Sequence, residues 1–165
     1  MKISNVSQQG YTLVEMMLVL TLSAILTLSG GFVWRHYQHQ SQLDQAARQI
    51  ADFLQRIQCR ASWGNHHYRV TVQTGCDWSL AVATDAPSRH PPPPAMALRP
   101  QASSGGVRLD ISAPGYLTLA GWRNTTTAAH LTLSNPAGRV KIILSGKGRI
   151  RLCSERGHWA GIGPC

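Results

Sequence analysis

Hydrophobic and polar positions divide the chain into three regimes. Residues 1–10 are polar, with Lys2 as their only charge. From Tyr11 to Trp34 the side chains are overwhelmingly apolar, and Glu15 is the one charged residue among them. As a helix that run extends about 36 Å, enough to cross the hydrocarbon core of a bilayer. From Tyr37 onward the apolar positions become periodic. Leu43, Ala46, Ala47, Ile50, Phe53, Leu54 and Ile57 recur at steps of three and four. Gln42, Asp44, Gln45, Arg48, Gln49, Asp52, Gln55 and Arg56 fill the opposite side. This predicts an amphipathic helix whose apolar stripe must lie on something. The two helical patterns join into one rod from Tyr11 to about Ala61, softened at Gly30-Gly31 and stopped by Gly64-Asn65.

After Asn65 the period changes to two. Tyr68–Gln73 and Trp78–Ala83 flank the turn Thr74-Gly75-Cys76-Asp77 and predict a hairpin. Asp85–Gly106 is a break carrying Pro91-Pro92-Pro93-Pro94, whose natural local state is polyproline II. It reads as a stiff surface loop in preference to a proline-rich ligand. Val107–Ile111 and Tyr116–Ala120 are short strands. His130–Ser134, Arg139–Ser145 and Arg149–Cys153 form a meander, turned at Asn135-Pro136-Ala137-Gly138 and Gly146-Lys147-Gly148. Alternation puts Leu131, Leu133, Val140, Ile142, Leu144, Ile150 and Leu152 on the buried face. Thr132, Ser134, Arg139, Lys141, Ile143, Arg149 and Arg151 share the other.

The predicted organisation is a leader (1–10), a transmembrane helix (11–34), its amphipathic continuation (35–63) and a β-rich globular domain (64–165). The chain has room for one small domain beyond the membrane segment. The fold class is α+β, a long N-terminal helix packed on antiparallel sheets.

Glu15 is the costly residue in this arrangement. A carboxylate within a membrane helix costs roughly 2.5–3.5 kcal/mol on insertion scales, and no cation lies near it in sequence. Its partner has to come from elsewhere, as from another chain. An ordinary secretory signal is cut after its apolar stretch at a small-x-small site. Here the small residue, Gly10, precedes the stretch, and the acid stands five positions beyond it.

Gly10-Tyr11-Thr12-Leu13-Val14-Glu15 resembles the processing site of type IV pilins and pseudopilins. The resemblance implies that prepilin peptidase cuts between Gly10 and Tyr11 and that the new amino group on Tyr11 is methylated. It implies that Glu15, fifth in the mature chain, pairs with the amino terminus of a neighbouring subunit. The family usually has phenylalanine where Tyr11 stands. An ammonium and a carboxylate meeting in low dielectric each relieve the other's isolation. Inner-membrane insertion with a periplasmic C-terminal domain follows, then incorporation into a pilus or pseudopilus with other minor and major pilins or pseudopilins.

Charge adds a second feature. The chain carries 16 basic and seven acidic residues, a formal net charge of +9, with 13 arginines and three lysines. Such a balance points to nucleic acid, anionic lipid or an acidic protein, or to simple solubility. Between Arg123 and Ser154 there is no acid at all. Arg139, Lys141, Arg149 and Arg151 are expected together on the open sheet face, with Lys147 at the tip. Like charges side by side repel, so they do not serve stability. Trp63-Gly64-Asn65, Arg123-Asn124-Thr125 and Gly148-Arg149-Ile150-Arg151-Leu152-Cys153 resemble the H-type minor pseudopilin and FimT-like minor pilin family. They are also similar to enterobacterial prepilin-peptidase-dependent proteins. Some FimT-like members are implicated in DNA uptake through a Gly-Arg-x-Arg pattern, which Gly148-Arg149-Ile150-Arg151 matches. DNA binding by Arg139, Lys141, Lys147, Arg149 and Arg151 is therefore the alternative to a purely structural role in assembly, with Trp159 a weaker candidate for base stacking. The same arginines can also cover apolar surface or dock an acidic pilin.

The four cysteines lie in the part expected to be exported, where pairing is favoured. Four cysteines allow three pairings; nearness in sequence favours Cys59 with Cys76 and Cys153 with Cys165. No catalytic constellation is found. The acids are scattered. Gly146-Lys147-Gly148 lacks the glycine and hydroxyl residue of a phosphate loop. No Gly-x-Ser-x-Gly element occurs. His36/His39 and His66-His67 have no acid or cysteine to complete a metal site and read as surface histidines. The expectation is a peptidase substrate without enzyme activity, metal or cofactor.

Overall fold

The computed structural model describes residues 12–84, 96–100, 106–156, 159 and 161–165. The leader, the Gly10–Tyr11 junction and the proline run 91–94 lie outside the described residues.

One helix, α1, is assigned over Leu13–Gly64, and the chain divides after Tyr37 into two units. In the first unit the apolar side chains stand exposed, including Leu13, Val14, Leu18, Leu22 and Leu26. Thr12 caps the helix: its Oγ1 accepts the Glu15 N–H at 3.3 Å. Thr12-x-x-Glu15 is the sequence form of a capping box. Among the described residues no helix is long and apolar enough to cross a membrane. The side chains at 28–30 and 32 fall outside that set and interrupt a run that is continuous in the sequence.

In the second unit, α1 buries one stripe. Leu43, Ala46, Ala47, Ile50, Phe53, Leu54, Ile57 and Ala61 are all buried and join one core with both sheets. The stripe read from periodicity is the stripe observed. Asp44–Arg48 and Asp52–Arg56 pair at i,i+4 on the other side at 3.0 and 2.5 Å. Such exposed pairs contribute only about 0.3–0.5 kcal/mol each. The helix stops because Asn65 turns left-handed (φ 51°), and the His66 N–H donates to the Ala61 carbonyl at 3.1 Å. This is a Schellman-type end, with asparagine in the position glycine usually takes.

The strands are β1 (His67–Gln73), β2 (Ser79–Thr84), β3 (Ala97–Leu98), β4 (Arg108–Ile111), β5 (Tyr116–Ala120), β6 (Thr125–Thr126), β7 (Ala129–Asn135), β8 (Gly138–Leu144) and β9 (Ile150–Arg156). They form two antiparallel sheets, ordered β3-β2-β1-β5-β6 and β4-β7-β8-β9. β3 and β6, each two residues long, escape the sequence pattern because they are too short to alternate. β9 continues past Cys153 to Arg156. Leu131, Leu133, Val140, Ile142 and Leu144 are buried, and Ile150 and Leu152 pack partly buried against them. Leu144 with Ile150, Ile142 with Leu152 and Leu133 with Val140 are direct cross-strand partners, as the hairpin loops require. Asn135 stitches the β7–β8 turn to α1 by donating Nδ2–H to the His39 carbonyl at 2.6 Å.

Cys153 and Cys165 form a disulfide. It holds the C-terminal tail beside β9, where Trp159 and Ile162 are buried in the core. Trp159 is thus packing, and its ring is not offered for stacking. The expected bridge between Cys59 and Cys76 is not formed; both thiols are free and exposed. Cys59 lies within about 8 Å of the end of α1 along its axis. β1 starts beside that end and leads roughly 20 Å away before Cys76. A disulfide needs Cα atoms within about 7 Å. Two outcomes follow. The folded protein should react with thiol reagents at Cys59 and Cys76 but not at Cys153 or Cys165. Cys153→Ser with Cys165→Ser should lower stability by about 3 kcal/mol, read from chemical denaturation, because a short loop is opened in the unfolded chain.

Candidate functional site

Two features stand out. In the N-terminal unit, Glu15 is exposed in the first turn of α1. Exposed apolar residues Val14, Met16, Met17, Leu18 and Val19 surround it in sequence.

The second feature is the open face of the β4-β7-β8-β9 sheet. Sequence alternation gathers Arg139, Lys141, Arg149 and Arg151 there, with Lys147 at the tip. The structure keeps them on that side but divides them. Arg151 stands opposite Ile143, Lys141 opposite Cys153 and Arg139 opposite Arg156, with a register shift between Arg139 and Val140. That irregularity brings Glu155 against Lys141 in an ion pair. The Lys141 ammonium, donating a hydrogen bond, holds the Glu155 carboxyl below its ordinary range, and Arg139 adds to the effect by its charge. Glu155 lies one residue beyond the acid-free stretch, so composition alone does not reveal that Lys141 is neutralised. The expectation of four unpaired cations in one patch is corrected here.

Lys147, Arg149 and Arg151 remain together. With Ile143, Ser145 and Gly146 they line an open groove of about 660 Å³. Among the described residues, no carboxylate pairs with any of the three. The loop that carries them is firmly built. Gly148 N–H donates to the Ser145 carbonyl at 2.9 Å, and Arg149 N–H donates to Ser145 Oγ at 3.1 Å. Gly148 adopts φ +74°, the left-handed glycine the loop needs. Its carbonyl accepts Gln58 Nε2–H at 2.6 Å, and the same amide donates to Asn124 Oδ1 at 2.8 Å. α1 therefore fixes the position of this loop, a link between residues far apart in sequence. Among the described residues, no three His, Cys, Asp or Glu side chains gather as they would for a metal ion.

Residues 5–30 match the family model described as the prokaryotic N-terminal methylation motif. No curated protein sequence matches the chain. Among solved structures, the chain is similar to the type IV minor pilin FimU of Pseudomonas aeruginosa strain PAO1. The TM-score is 0.56 at 18% identity, covering 70% of this chain and 91% of that one. It is also similar to the minor pseudopilin EpsH from the Type 2 Secretion System of Vibrio cholerae. There the TM-score is 0.55 at 13% identity, covering 68% of this chain and 97% of that one. At these identities the likeness is one of fold, a long N-terminal helix on antiparallel sheets, and the motif is a separate and local signal. The chain thus joins a prokaryotic N-terminal methylation motif to the fold seen in a minor pilin and a minor pseudopilin.

Proposed function

We propose that the protein is a minor subunit of a type IV pilus or of a type II secretion pseudopilus. It is held in the inner membrane by residues 11–34, with its β-rich domain in the periplasm, until it is incorporated. The observation that carries this reading is Glu15: an isolated carboxylate among exposed apolar side chains, inside a matched N-terminal methylation motif. Prepilin peptidase cuts between Gly10 and Tyr11 and leaves an amino group on Tyr11, which is methylated. The Glu15 carboxylate of one subunit and that amino group of its neighbour then neutralise each other, and the apolar faces of the helices pack around the pair. The two similar structures are named as a minor pilin and a minor pseudopilin, and both kinds of machine fit the residues equally. The chain acts as a peptidase substrate and building block, not as an enzyme.

The test is the mature amino terminus. In cells making prepilin peptidase, the protein should begin at N-methylated Tyr11 by intact mass and peptide sequencing. A mature chain that keeps residues 1–10, or that begins beyond residue 34, overturns the reading.

A second reading is DNA binding, favoured by the groove of Lys147, Arg149 and Arg151. It rests on these three because Lys141 is committed to Glu155. Duplex DNA should be retarded at low salt. Arg149→Ala with Arg151→Ala should weaken retardation and reduce the salt slope by about 2, one for each phosphate that is no longer neutralised. Absence of any retardation at low salt removes this reading.

A further inference from the structure

Three segments meet where α1 ends: its last turns, the 3-10 turn Trp122–Asn124 and the 145–149 loop. Gln58 ties them together through Asn124 and Gly148, and Ser62 Oγ–H adds a bond to Asn124 Oδ1 at 3.3 Å. The pole they form has an unusual composition. Trp63 is 92% exposed. Arg60, Arg123, Lys147 and Arg149 are exposed on these segments, and Arg60 donates Nη1–H to Met96 Sδ at 3.0 Å. Arg123 holds φ 61°, a left-handed conformation that costs a non-glycine residue about 1–2 kcal/mol, and its exposed side chain makes no compensating ion pair among the described residues. The sequence has no acid between Phe53 and Cys76 or between Ile111 and Ser154, so no carboxylate belongs to any of the three segments.

Among the described residues, the acids of the domain lie on other segments, and most are engaged. Asp44, Asp52, Asp110 and Glu155 pair with Arg48, Arg56, Arg108 and Lys141. A second copy of this chain therefore has little free acidic surface to offer, and two chains this basic (formal net charge +9 with the leader's Lys2 included) repel. An exposed tryptophan on segments that also carry Arg60, Arg123 and Arg149 has the composition of an interface centre, where Trp and Arg are enriched. Trp63 also stands about 100° round α1 from Ser62, the residue that meets the 3-10 turn. The surface is thus broad and two-sided, suited to a folded partner more than to a single nucleic-acid strand tracking the groove.

We infer that this pole is a docking surface for a different, acidic pilin-like subunit, with Trp63 as its central contact. The inference rests on the assembly reading and adds to it the chemistry of the neighbour: the protein is placed singly against an acidic subunit and does not stack on itself.

The experiment uses the full chain in detergent micelles. Purified soluble domains of the other pilin-like subunits of the same cell, acidic and basic, are titrated in, and binding is followed by calorimetry. An acidic domain should bind, more weakly as salt is raised. Trp63→Ala should weaken that binding at least about tenfold, and Arg60→Glu with Arg123→Glu should abolish it, with circular dichroism unchanged in both. Thr71→Ala, on the open face of β1, should bind as the unaltered chain does. Binding to no acidic domain, or equal binding by Trp63→Ala, overturns the inference. So does self-association of the full chain through this pole, or displacement of the acidic domain by equimolar single-stranded DNA. Should Trp63→Ala enter filaments normally while Glu15→Ala does not, the docking surface is wrong and the assembly reading stands.

Discussion

Replacing Glu15 with alanine should remove the protein from filaments while leaving its leader cleaved. Alanine makes the segment more apolar, so insertion into the membrane improves by roughly 2.5–3.5 kcal/mol. Assembly should nevertheless fail, because the neighbour's amino group is left charged and unpaired in a dry environment. Breaking a buried pair by removing one partner costs about 3–5 kcal/mol, which corresponds to a loss of incorporation of roughly a hundredfold or more. The structure adds a control. Glu15 is the third helical residue after the Thr12 cap, and a capping box accepts glutamine as well as glutamate. Glu15→Gln therefore keeps the cap and removes the charge. If the charge carries assembly, the glutamine variant fails as the alanine variant does. Immunoblots of sheared filaments against whole cells measure both, and normal incorporation of Glu15→Ala sinks the pairing argument. Recovery with glutamine alone would move the role of Glu15 from its charge to the helix start.

Gly121→Ala should destabilise the domain by about 3 kcal/mol, at the upper end for overpacking, and lower its melting temperature by roughly 10 °C. Gly121 has an ordinary helical backbone (φ −67°), so the requirement is one of space. A Cβ there would strike the Ala61 carbonyl oxygen and lie 2.7 Å from its carbon and 2.9 Å from Asn65 Cα. All of these are backbone atoms of the helix end and cannot rotate away. Ala61 O is also the acceptor that closes the α1 terminus, through the His66 N–H. The His66 carbonyl in turn accepts the Gly121 N–H at 3.0 Å. One methyl group thus pushes apart the helix stop, the start of β1 and the 3-10 turn together. Thermal unfolding of residues 38–165 reads the effect. A shift under about 2 °C would mean that this junction yields without loss.

The extent of α1, its buried stripe and seven of the nine strands among the described residues were legible because each repeats a local period long enough to count. Leu43 to Ile57 follow the helical repeat, and Leu131 to Leu144 follow the strand repeat. The hairpin turns fixed which neighbours pair. β3 and β6 were not legible, since two residues carry no period. Cysteine pairing was misjudged at Cys59 and Cys76 because nearness in sequence says nothing once a strand carries one of them some 20 Å away. The basic patch was half right. Alternation put Arg139, Lys141, Arg149 and Arg151 on one face, but a single register irregularity in β9 brought Glu155 onto Lys141.

By itself, the sequence determined that this chain carries a methylation-type N-terminus, an acid isolated in an apolar helix, and a helix-plus-sheet domain. Those features are local: a motif, a charge in a run, a period. Tertiary structure alone decided which cations stay unpaired, that Trp63 faces solvent at the end of α1, and that Gly121 must be bare. Those depend on atoms brought within a few ångströms from separate elements, 14 positions apart for Lys141 with Glu155 and 66 and 90 apart for Gln58 with Asn124 and Gly148. Contact at that range is set by how the helix seats on two sheets, and no local period encodes it.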